Sequence, residues 1–280
     1  MTTVTIHVTH PGAHAIQWLT AARTAAGSAL ATALAVRGRE DDNRHLVVFG
    51  AGFQAEAHLF CMLPHCEEHG DEFKGLGITD VTIINRSLGG IDALVRKFEH
   101  GYGVKFNAGV LLSDDAAVRR AVGAADVICT TTGSRLPLFD GGWMKPGCHV
   151  NCVGSYRTDT AEVDASTISR CSEIIVDSFA AVTTSGDLSS VVTQYEKHAG
   201  GAVASGEMMC VGENASGSFR IITLGSALGG DSEFQFRGGE GRRDCSLFKS
   251  VGTAVQDIAT AAAVLSRARS LGDIGSSVHI

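Results

Sequence analysis

The feature that most constrains the fold is an alternation of short apolar runs, rich in β-branched residues, with stretches of helical composition. The apolar runs are bounded by Gly, Asp or Ser and lie at 45–49, 80–85, 126–131, 148–153 and 173–177. Strands that are apolar almost throughout and alternate with helices are typical of a parallel sheet covered on both faces. We therefore predict an α/β fold, in which a doubly wound Rossmann-type parallel sheet occupies residues 41–248.

Two further helices flank this domain in the sequence. An Ala-rich run covers about 21–36, and the segment 250–270 is predicted to be a helix capped by Ser250, with Arg residues in its last turns. We expect these two helices to be neighbours outside the central sheet. Residues 200–243 are rich in Gly and Ser, and they are predicted to form a long exposed loop or an insertion.

The charge and the N-terminus exclude several classes of protein. The chain has 23 Lys and Arg against 30 Asp and Glu, a net charge of −7, so it lacks the basic surface that binds nucleic acid or an anionic membrane. The N-terminus has no basic segment followed by an apolar run. The Ala-rich run contains Arg23 and is shorter than a membrane-spanning helix. We expect a cytoplasmic protein with no nucleic-acid or membrane partner.

The cysteines and histidines favour packing over metal binding. Eight cysteines are scattered along the chain, and inside a cell such thiols stay reduced. His58, Cys61 and His65 would share one helical face, but no second paired cluster accompanies them, so no metal is predicted. Three histidines of the N-terminal segment are interpreted as part of a frayed tail rather than as ligands: His7, His10 and His14.

The turn after the first predicted strand carries a dinucleotide-binding pattern. Gly50, Gly52 and Ala55 stand in the order G-x-G-x-x-A between a strand and a helix. The first Gly permits a tight turn, the second lets a pyrophosphate approach the backbone, and the small third residue lets the helix pack on the strand. The free N–H groups at the helix start suit phosphate oxygens. A bound dinucleotide is therefore predicted, with a turn that binds nothing as the alternative.

The end of the second predicted strand bears on the choice of nicotinamide cofactor. It reads Asn85-Arg86-Ser87 and has no carboxylate for the ribose 2′-hydroxyl of NAD, whereas Arg86 with Ser87 would suit a 2′-phosphate. We predict that NADP(H) is preferred, with NAD(H) as the alternative. Two later strands end at 130–133 and 153–155, at the carboxyl edge where ligands bind in open α/β sheets.

Taken in order, these segments resemble the ornithine cyclodeaminase/mu-crystallin family. The matching pieces are LTAARTAAGSALAT (19–32), VVFGAGFQAEAH (47–58), INRS (84–87), DVICTTTGSRLPLF with WMKPGCHVNCVGS (126–155), AEVD with IIVDS (161–178) and LFKSVGTAVQDIATA (247–261). The resemblance implies a bound nicotinamide cofactor, a small amino- or imino-acid substrate and a homodimer. It also implies that residues 1–40 are a remnant of a substrate and dimerisation domain, to which residues 249–280 return.

The resemblance implies roles for single residues. Arg23 matches the Arg that faces the substrate carboxylate and the cofactor, and Val251 matches a position where the closing helix meets the substrate. The implied cofactor-binding positions run along the whole nucleotide domain: Gly50, Gly52, Phe53, Gln54, Asn85, Arg86, Ser87, Thr132, Val153, Gly154, Ser155 and Ser250. No catalytic residue is assigned.

Two departures from the family pattern bear on function. Tyr156 stands where true ornithine cyclodeaminases have a catalytic Asp; Asp159, Glu162 and Asp164 are near but at other offsets, and the last two are interpreted as the start of a helix. Only 22 residues precede Arg23, where family members carry most of a substrate domain. We therefore expect a truncated sequence or a degenerate relative.

Three functions follow as hypotheses. The first is an NADP(H)-dependent oxidoreductase that reduces cyclic ketimines or 2-imino acids. The second is an NAD-dependent ornithine cyclodeaminase, against which Tyr156 counts. The third is a catalytically inactive protein that retains nucleotide binding.

Overall fold

The computed structural model describes residues 14–37, 39, 43–66, 72–73, 75–189, 191, 210–214, 217–229 and 245–270. Its helices are α1 (His14–Val36), α2 (Phe53–Met62), α3 (Leu88–Phe98), α4 (Asp115–Ala124), α5 (Ala165–Ser169), α6 (Ala180–Thr184), α7 (Leu224–Leu228) and α8 (Ala254–Ser270). Its strands are β1 (Arg44–Phe49), β2 (His65–Cys66), β3 (Glu72–Phe73), β4 (Ile78–Asn85), β5 (Lys105–Phe106), β6 (Val110–Leu111), β7 (Val127–Thr130), β8 (His149–Cys152), β9 (Cys171–Val176), β10 (Cys210–Asn214), β11 (Gly217–Thr223) and β12 (Cys245–Lys249).

One large sheet organises the described part of the chain. Its strand order is β10-β11-β9-β12-β8-β7-β1-β4-β5, with β6 also paired to β4. The β10–β11 pair is antiparallel, and the other pairs are parallel. From β1 the chain continues first to β4 on one side and then to β7 on the other. The order therefore reverses beside β1, and this switch point is where open α/β sheets bind ligands.

The alternation of side chains along β1 builds a core on each face of the sheet. Leu46 and Val48 point to one face and join the apolar side chains of α2 and α3. Val47 and Phe49 point to the other face and pack with α4 and the loops after β7. Because all four side chains are at most 1 % exposed, the strand is covered on both sides. The predicted doubly wound α/β architecture is confirmed.

Helix α1 lies against α2 through small side chains. Ala21 and Ala25 of α1 pack with Ala57 of α2, and close helix approach needs residues of this size. The stretch Gln17–Val36 is long and apolar enough to cross a membrane by length and composition, whereas the shorter Ala-rich run was predicted to be too short. Half of its most apolar window is buried inside the domain, as in the core helix of a globular protein.

Helix α8 rests on α1, as expected for the two flanking helices. It buries none of its 17 residues completely. Val255, Ile258 and Val264 are 75 %, 69 % and 45 % exposed. Val255 and Ile258, three residues apart on one side of the helix, thus form an apolar face that the described part of the chain leaves uncovered.

Two local predictions are wrong. The segment 200–243 was expected to be a loop or insertion, but β10, β11 and α7 lie within it, because the alternating run at 217–223 pairs with β9 and forms a hairpin with β10. The rest of that segment lies outside the described residues. Ser250 was expected to cap the last helix, yet α8 begins at Ala254 and the Ser250 hydroxyl donates to Asp177 instead.

Candidate functional site

A cleft of about 330 Å³ opens at the carboxyl ends of β1, β4 and β7, at the switch point of the sheet. It brings together five of the predicted cofactor residues. These are Gly50, Gly52, Asn85, Arg86 and Thr132. The cleft thus joins three segments that are far apart in the sequence, as the Rossmann prediction requires.

The turn between β1 and α2 has the backbone geometry of a phosphate-binding loop. Gly50 has φ of +109°, and a Cβ atom there would lie 2.7 Å from Thr131 Oγ1, so only Gly fits. At Gly52 an added Cβ would meet nothing within 4 Å, which leaves the helix start open. No side chain caps α2 at Gly52, and the start of a helix is where backbone N–H groups bind anions. These features fit the pyrophosphate of a dinucleotide.

The end of β4 forms the other wall of the cleft. Asn85 donates from Nδ2 to the carbonyl oxygen of Ser87 at 3.2 Å and shapes the turn into α3. Arg86 and Ser87 are exposed. The exposed guanidinium stands at the end of the strand that normally carries the ribose-binding residue in this type of domain.

On the opposite side of the switch point, a buried carboxylate joins β7 to β8. Glu162 is 0 % exposed. Its Oε1 accepts hydrogen bonds from the N–H and hydroxyl of Thr132 at 2.6 and 2.7 Å. Its Oε2 accepts from Thr130 Oγ1 at 2.8 Å and from the N–H of Gly154 at 2.7 Å. Four donors therefore surround one carboxylate where the two strands end.

Two further buried charged residues, Asp187 and Lys249, lie next to Glu162. Lys249 Nζ lies 2.8 Å from Asp187 Oδ2, and both side chains are 0 % exposed. Asp187 Oδ1 accepts from the backbone N–H groups of Glu162 and Val163 at 2.6 and 3.2 Å. Burial raises the pKa of the Glu162 carboxyl above its usual value, while Lys249 and the hydrogen bonds from Thr132 act in the opposite direction.

Glu162 was not predicted as a site residue. The Glu-x-Asp pattern was interpreted as a helix start, and this is correct for Asp164, whose carboxylate accepts from the N–H of Thr167 at the start of α5. Because one Asp already caps that helix, the preceding Glu is free for another role. That redundancy is the only sequence signal that could have pointed to Glu162.

The loop between β12 and α8 is fixed to the sheet by Asp177. Its Oδ2 accepts from Ser250 Oγ, and from the N–H groups of Val251 and Gly252, at 2.9, 2.9 and 2.6 Å. Ser250 is therefore turned inward, and it lies outside the cleft-lining set. Val251 packs against the core beside the sheet.

Arg23 of α1 reaches the same loop. Its Nε donates to Asp257 Oδ1 at 3.0 Å and its Nη1 to Gln256 Oε1 at 3.2 Å, both on α8. Gly252 has φ of +90°, and a Cβ atom there would lie 2.5 Å from Arg23 Nη2. The guanidinium is thus held between α1, α8 and the Gly252 turn.

The remaining predicted residues line the neighbourhood of the cleft rather than the cleft itself. Phe53 stands edge-on to Trp18 at 6.4 Å between ring centroids. Gln54 is half-buried, and its Oε1 has no hydrogen-bond partner among the described residues. Ser155 donates from Oγ to the carbonyl oxygen of Thr160 at 2.6 Å, so its hydroxyl points into the protein. Val153 is half-buried at the end of β8.

The other polar candidates have structural surroundings. His58 is fully buried, with Nδ1 2.7 Å from the carbonyl oxygen of Gln54 and Nε2 2.9 Å from Ser28 Oγ. His65 lies in β2 rather than on α2, so the expected three-residue helical face does not exist. Within the described ranges no group of three or more candidate metal ligands occurs. His7 and His10 lie outside those ranges, and Tyr156 is 60 % exposed.

Comparison with known proteins finds relatives that are named as reductases. The Δ1-pyrroline-2-carboxylate reductase of Colwellia psychrerythraea is 30 % identical over 250 residues, which are 88 % of this chain and 65 % of that protein. The ketimine reductase mu-crystallin of Macropus fuliginosus is 33 % identical over 170 residues, 61 % of this chain and 47 % of that protein. The chain therefore spans about two thirds or less of the length of these relatives.

A solved structure shares the fold. The Δ1-pyrroline-2-carboxylate reductase of Thermococcus litoralis, solved with NADH and L-proline, has a TM-score of 0.67 and 24 % identity, and the match covers 93 % of this chain and 68 % of that one. The family model for the ornithine cyclodeaminase/mu-crystallin family matches residues 14–272. Since that match runs from α1 through the sheet to the end of α8, the chain belongs to the ornithine cyclodeaminase/mu-crystallin family.

Proposed function

We propose that the protein is an NADP(H)-dependent reductase of cyclic ketimines or 2-imino acids. The observation that carries this proposal is the cleft at the switch point, where the Gly50–Gly52 turn and the exposed Arg86 face each other. Relatives named as pyrroline-2-carboxylate and ketimine reductases support the substrate class. The cofactor, when bound, supplies the hydride that adds to the C=N carbon.

The chain's own residues would bind and orient the two reactants. The open N-terminus of α2 would hold the pyrophosphate, and Arg86 the 2′-phosphate at the end of β4. Arg23 would pair with the substrate carboxylate, because its planar fork suits bidentate binding and α8 already fixes its position. Val251 would line the same side. No residue is assigned as the proton donor to nitrogen.

The direct test is NADPH oxidation at 340 nm with Δ1-piperideine-2-carboxylate or Δ1-pyrroline-2-carboxylate. We expect turnover with NADPH and slower turnover with NADH. The proposal is wrong if protein shown to bind the nucleotide oxidises neither cofactor with either imine. In that case nucleotide-dependent thermal stabilisation without turnover would identify an inactive binding protein. Release of ammonia from ornithine without added reductant would identify a cyclodeaminase.

We also propose that the chain forms a homodimer in the cytosol through the uncovered face of α8. A twofold axis would set two α8 helices antiparallel, so that Val255 and Ile258 are covered. The charges of the helix suit this arrangement, because Asp257 lies in its first turn and Arg267 and Arg269 lie in its last. Free buried thiols such as Cys148 and Cys152 suit a reducing compartment.

A further inference from the structure

A group of buried charged residues lies next to Thr132 and Gly154, where β7 and β8 end. Glu162, Asp187 and Lys249 lie in one contact network. Lys249 and Asp187 are also the charged groups that act on the Glu162 carboxyl, with opposite signs. Two carboxylates and one ammonium leave the network with one net negative charge. Apolar strands surround it, so this charge is weakly screened.

The position of this charge follows from the fold. The Gly50 turn lies at the switch point, and the Arg86 side of the cleft belongs to β4. A dinucleotide that places its pyrophosphate on the turn and its adenosine half over β4 must extend its other half over β7 and β8. Thr132 and Gly154 end those two strands, and both donate backbone hydrogen bonds to Glu162.

The hydrogen bonds favour the ionised form of Glu162 and so act against the effect of its burial. An ionised carboxylate only accepts, and each oxygen of Glu162 receives a hydrogen bond from a backbone N–H group, which can only donate. The short distances of 2.6–2.8 Å are those of charge-assisted bonds.

Gly154 shows that the carboxylate and the end of β8 are fitted to each other. A Cβ atom at this position would collide with the Thr132 carbonyl oxygen and lie 2.5 Å from Glu162 Oε1. The absence of a side chain lets the Gly154 N–H point directly at the carboxylate. The charge therefore lies directly against the backbone at the end of β8.

We propose that Glu162, with Asp187 and Lys249, is a fixed negative charge that favours the oxidised, cationic form of the nicotinamide over the reduced, neutral form. This inference rests on the proposed function for the identity of the cofactor. Positive charge develops on the ring as a hydride leaves it, so a preorganised negative charge stabilises that change. Glu162 is a positioning residue, since the ends of β7 and β8 stand between it and the ligand.

The test is the ratio of two dissociation constants, Kd for NADP⁺ over Kd for NADPH, measured by fluorescence titration without substrate. Glu162→Gln is expected to raise this ratio at least about fivefold, the lower end of typical coupling between sites. Glu162→Asp keeps the charge but misplaces the hydrogen bonds, so it should weaken both nucleotides and leave the ratio close to the wild-type value. An unchanged ratio in a folded Glu162→Gln protein would overturn the proposal, because a purely structural role weakens both forms alike.

A second variant covers a failure of Glu162→Gln to fold. Lys249→Met removes the positive charge, so the ratio should move the other way, toward tighter NADP⁺ binding; no change would also overturn the proposal. The outcomes separate the two proposals. If the wild type binds both nucleotides but reduces no imine, the reductase proposal fails and the charge test still stands. If it binds neither nucleotide, both fail.

Discussion

Two buried histidines show how single residues make this fold sensitive to acid. Burial lowers the pKa of His58 to about 4 and that of His149 to about 3. The unfolded chain takes up these protons near pH 6.5, whereas the folded chain takes them up only near pH 4 and pH 3. The stability from neutral burial is therefore complete above about pH 6.5, and it is lost progressively as the pH falls toward those values.

For His58 this loss amounts to about 3 kcal/mol at most. We expect His58→Gln to reduce the fall in the free energy of unfolding between pH 6.5 and pH 4. The part of that fall that comes from His149 should remain. Urea titrations at half-unit pH steps measure the slope. His100→Gln changes an exposed histidine and is the control. An identical slope in His58→Gln and the wild type would contradict this account.

A substitution at Gly252 can distinguish the effect of backbone strain from the effect of displacing Arg23. Its φ of +90° is shared by Gly101, but only Gly252 lies against Arg23; an added Cβ at Gly101 would meet nothing within 4 Å. Alanine at either position should cost about 1–2 kcal/mol of stability through the left-handed backbone. Only Gly252→Ala should also displace the guanidinium and raise KM for the imino acid at least about tenfold, the effect of a 1.4 kcal/mol loss.

Steady-state kinetics and thermal melts of both variants check this prediction. Equal KM values for Gly101→Ala and Gly252→Ala would mean that Arg23 does not hold the substrate. NADPH binding, which depends on the cleft rather than on Arg23, should be retained by both variants.

At the scale of elements, the loop before α8 depends on one side chain of a distant strand end. Asp177→Ala removes three hydrogen bonds from 250–252, which should cost roughly 2–3 kcal/mol. Hydrogen exchange should speed up in 250–253 and the first turn of α8. Asp164→Ala, which removes the cap of α5, should destabilise by about 1 kcal/mol without altering exchange there. Unchanged exchange in Asp177→Ala would show that α8 holds the loop unaided.

The elements whose pattern is local were the ones that the sequence could predict. The strands β1, β4, β7, β8 and β9 lie within a few residues of the predicted apolar runs. The Gly50 turn was predictable because a positive φ and an open helix start each need glycine. β11 was missed because its pairing with β9 depends on residues more than 40 positions away, and β10 was missed with it because β10 pairs with β11.

The same division explains which site residues were missed. Gly50, Arg86 and Thr132 were found because each follows directly after a strand that the pattern reveals. Glu162 and Lys249 were missed because their partners come from distant parts of the chain, and nothing in the sequence next to them indicates a buried charge. Ser250 was assigned to a helix cap that the local pattern favours, whereas the tertiary contact with Asp177 decides its role.

For the whole molecule, the uncovered face of α8 sets the expected state of association. Ile258, 69 % exposed, belongs to that face, so Ile258→Glu should convert the dimer to a monomer in sedimentation velocity at micromolar concentration. Leu136→Glu is the matched control, because Leu136 is 73 % exposed but lies in the loop beside the cleft. A monomeric wild type, or a dimer that survives Ile258→Glu, would contradict the twofold arrangement. Since α8 also fixes Arg23 through Gln256 and Asp257, loss of the dimer should raise KM for the substrate more than Kd for the nucleotide.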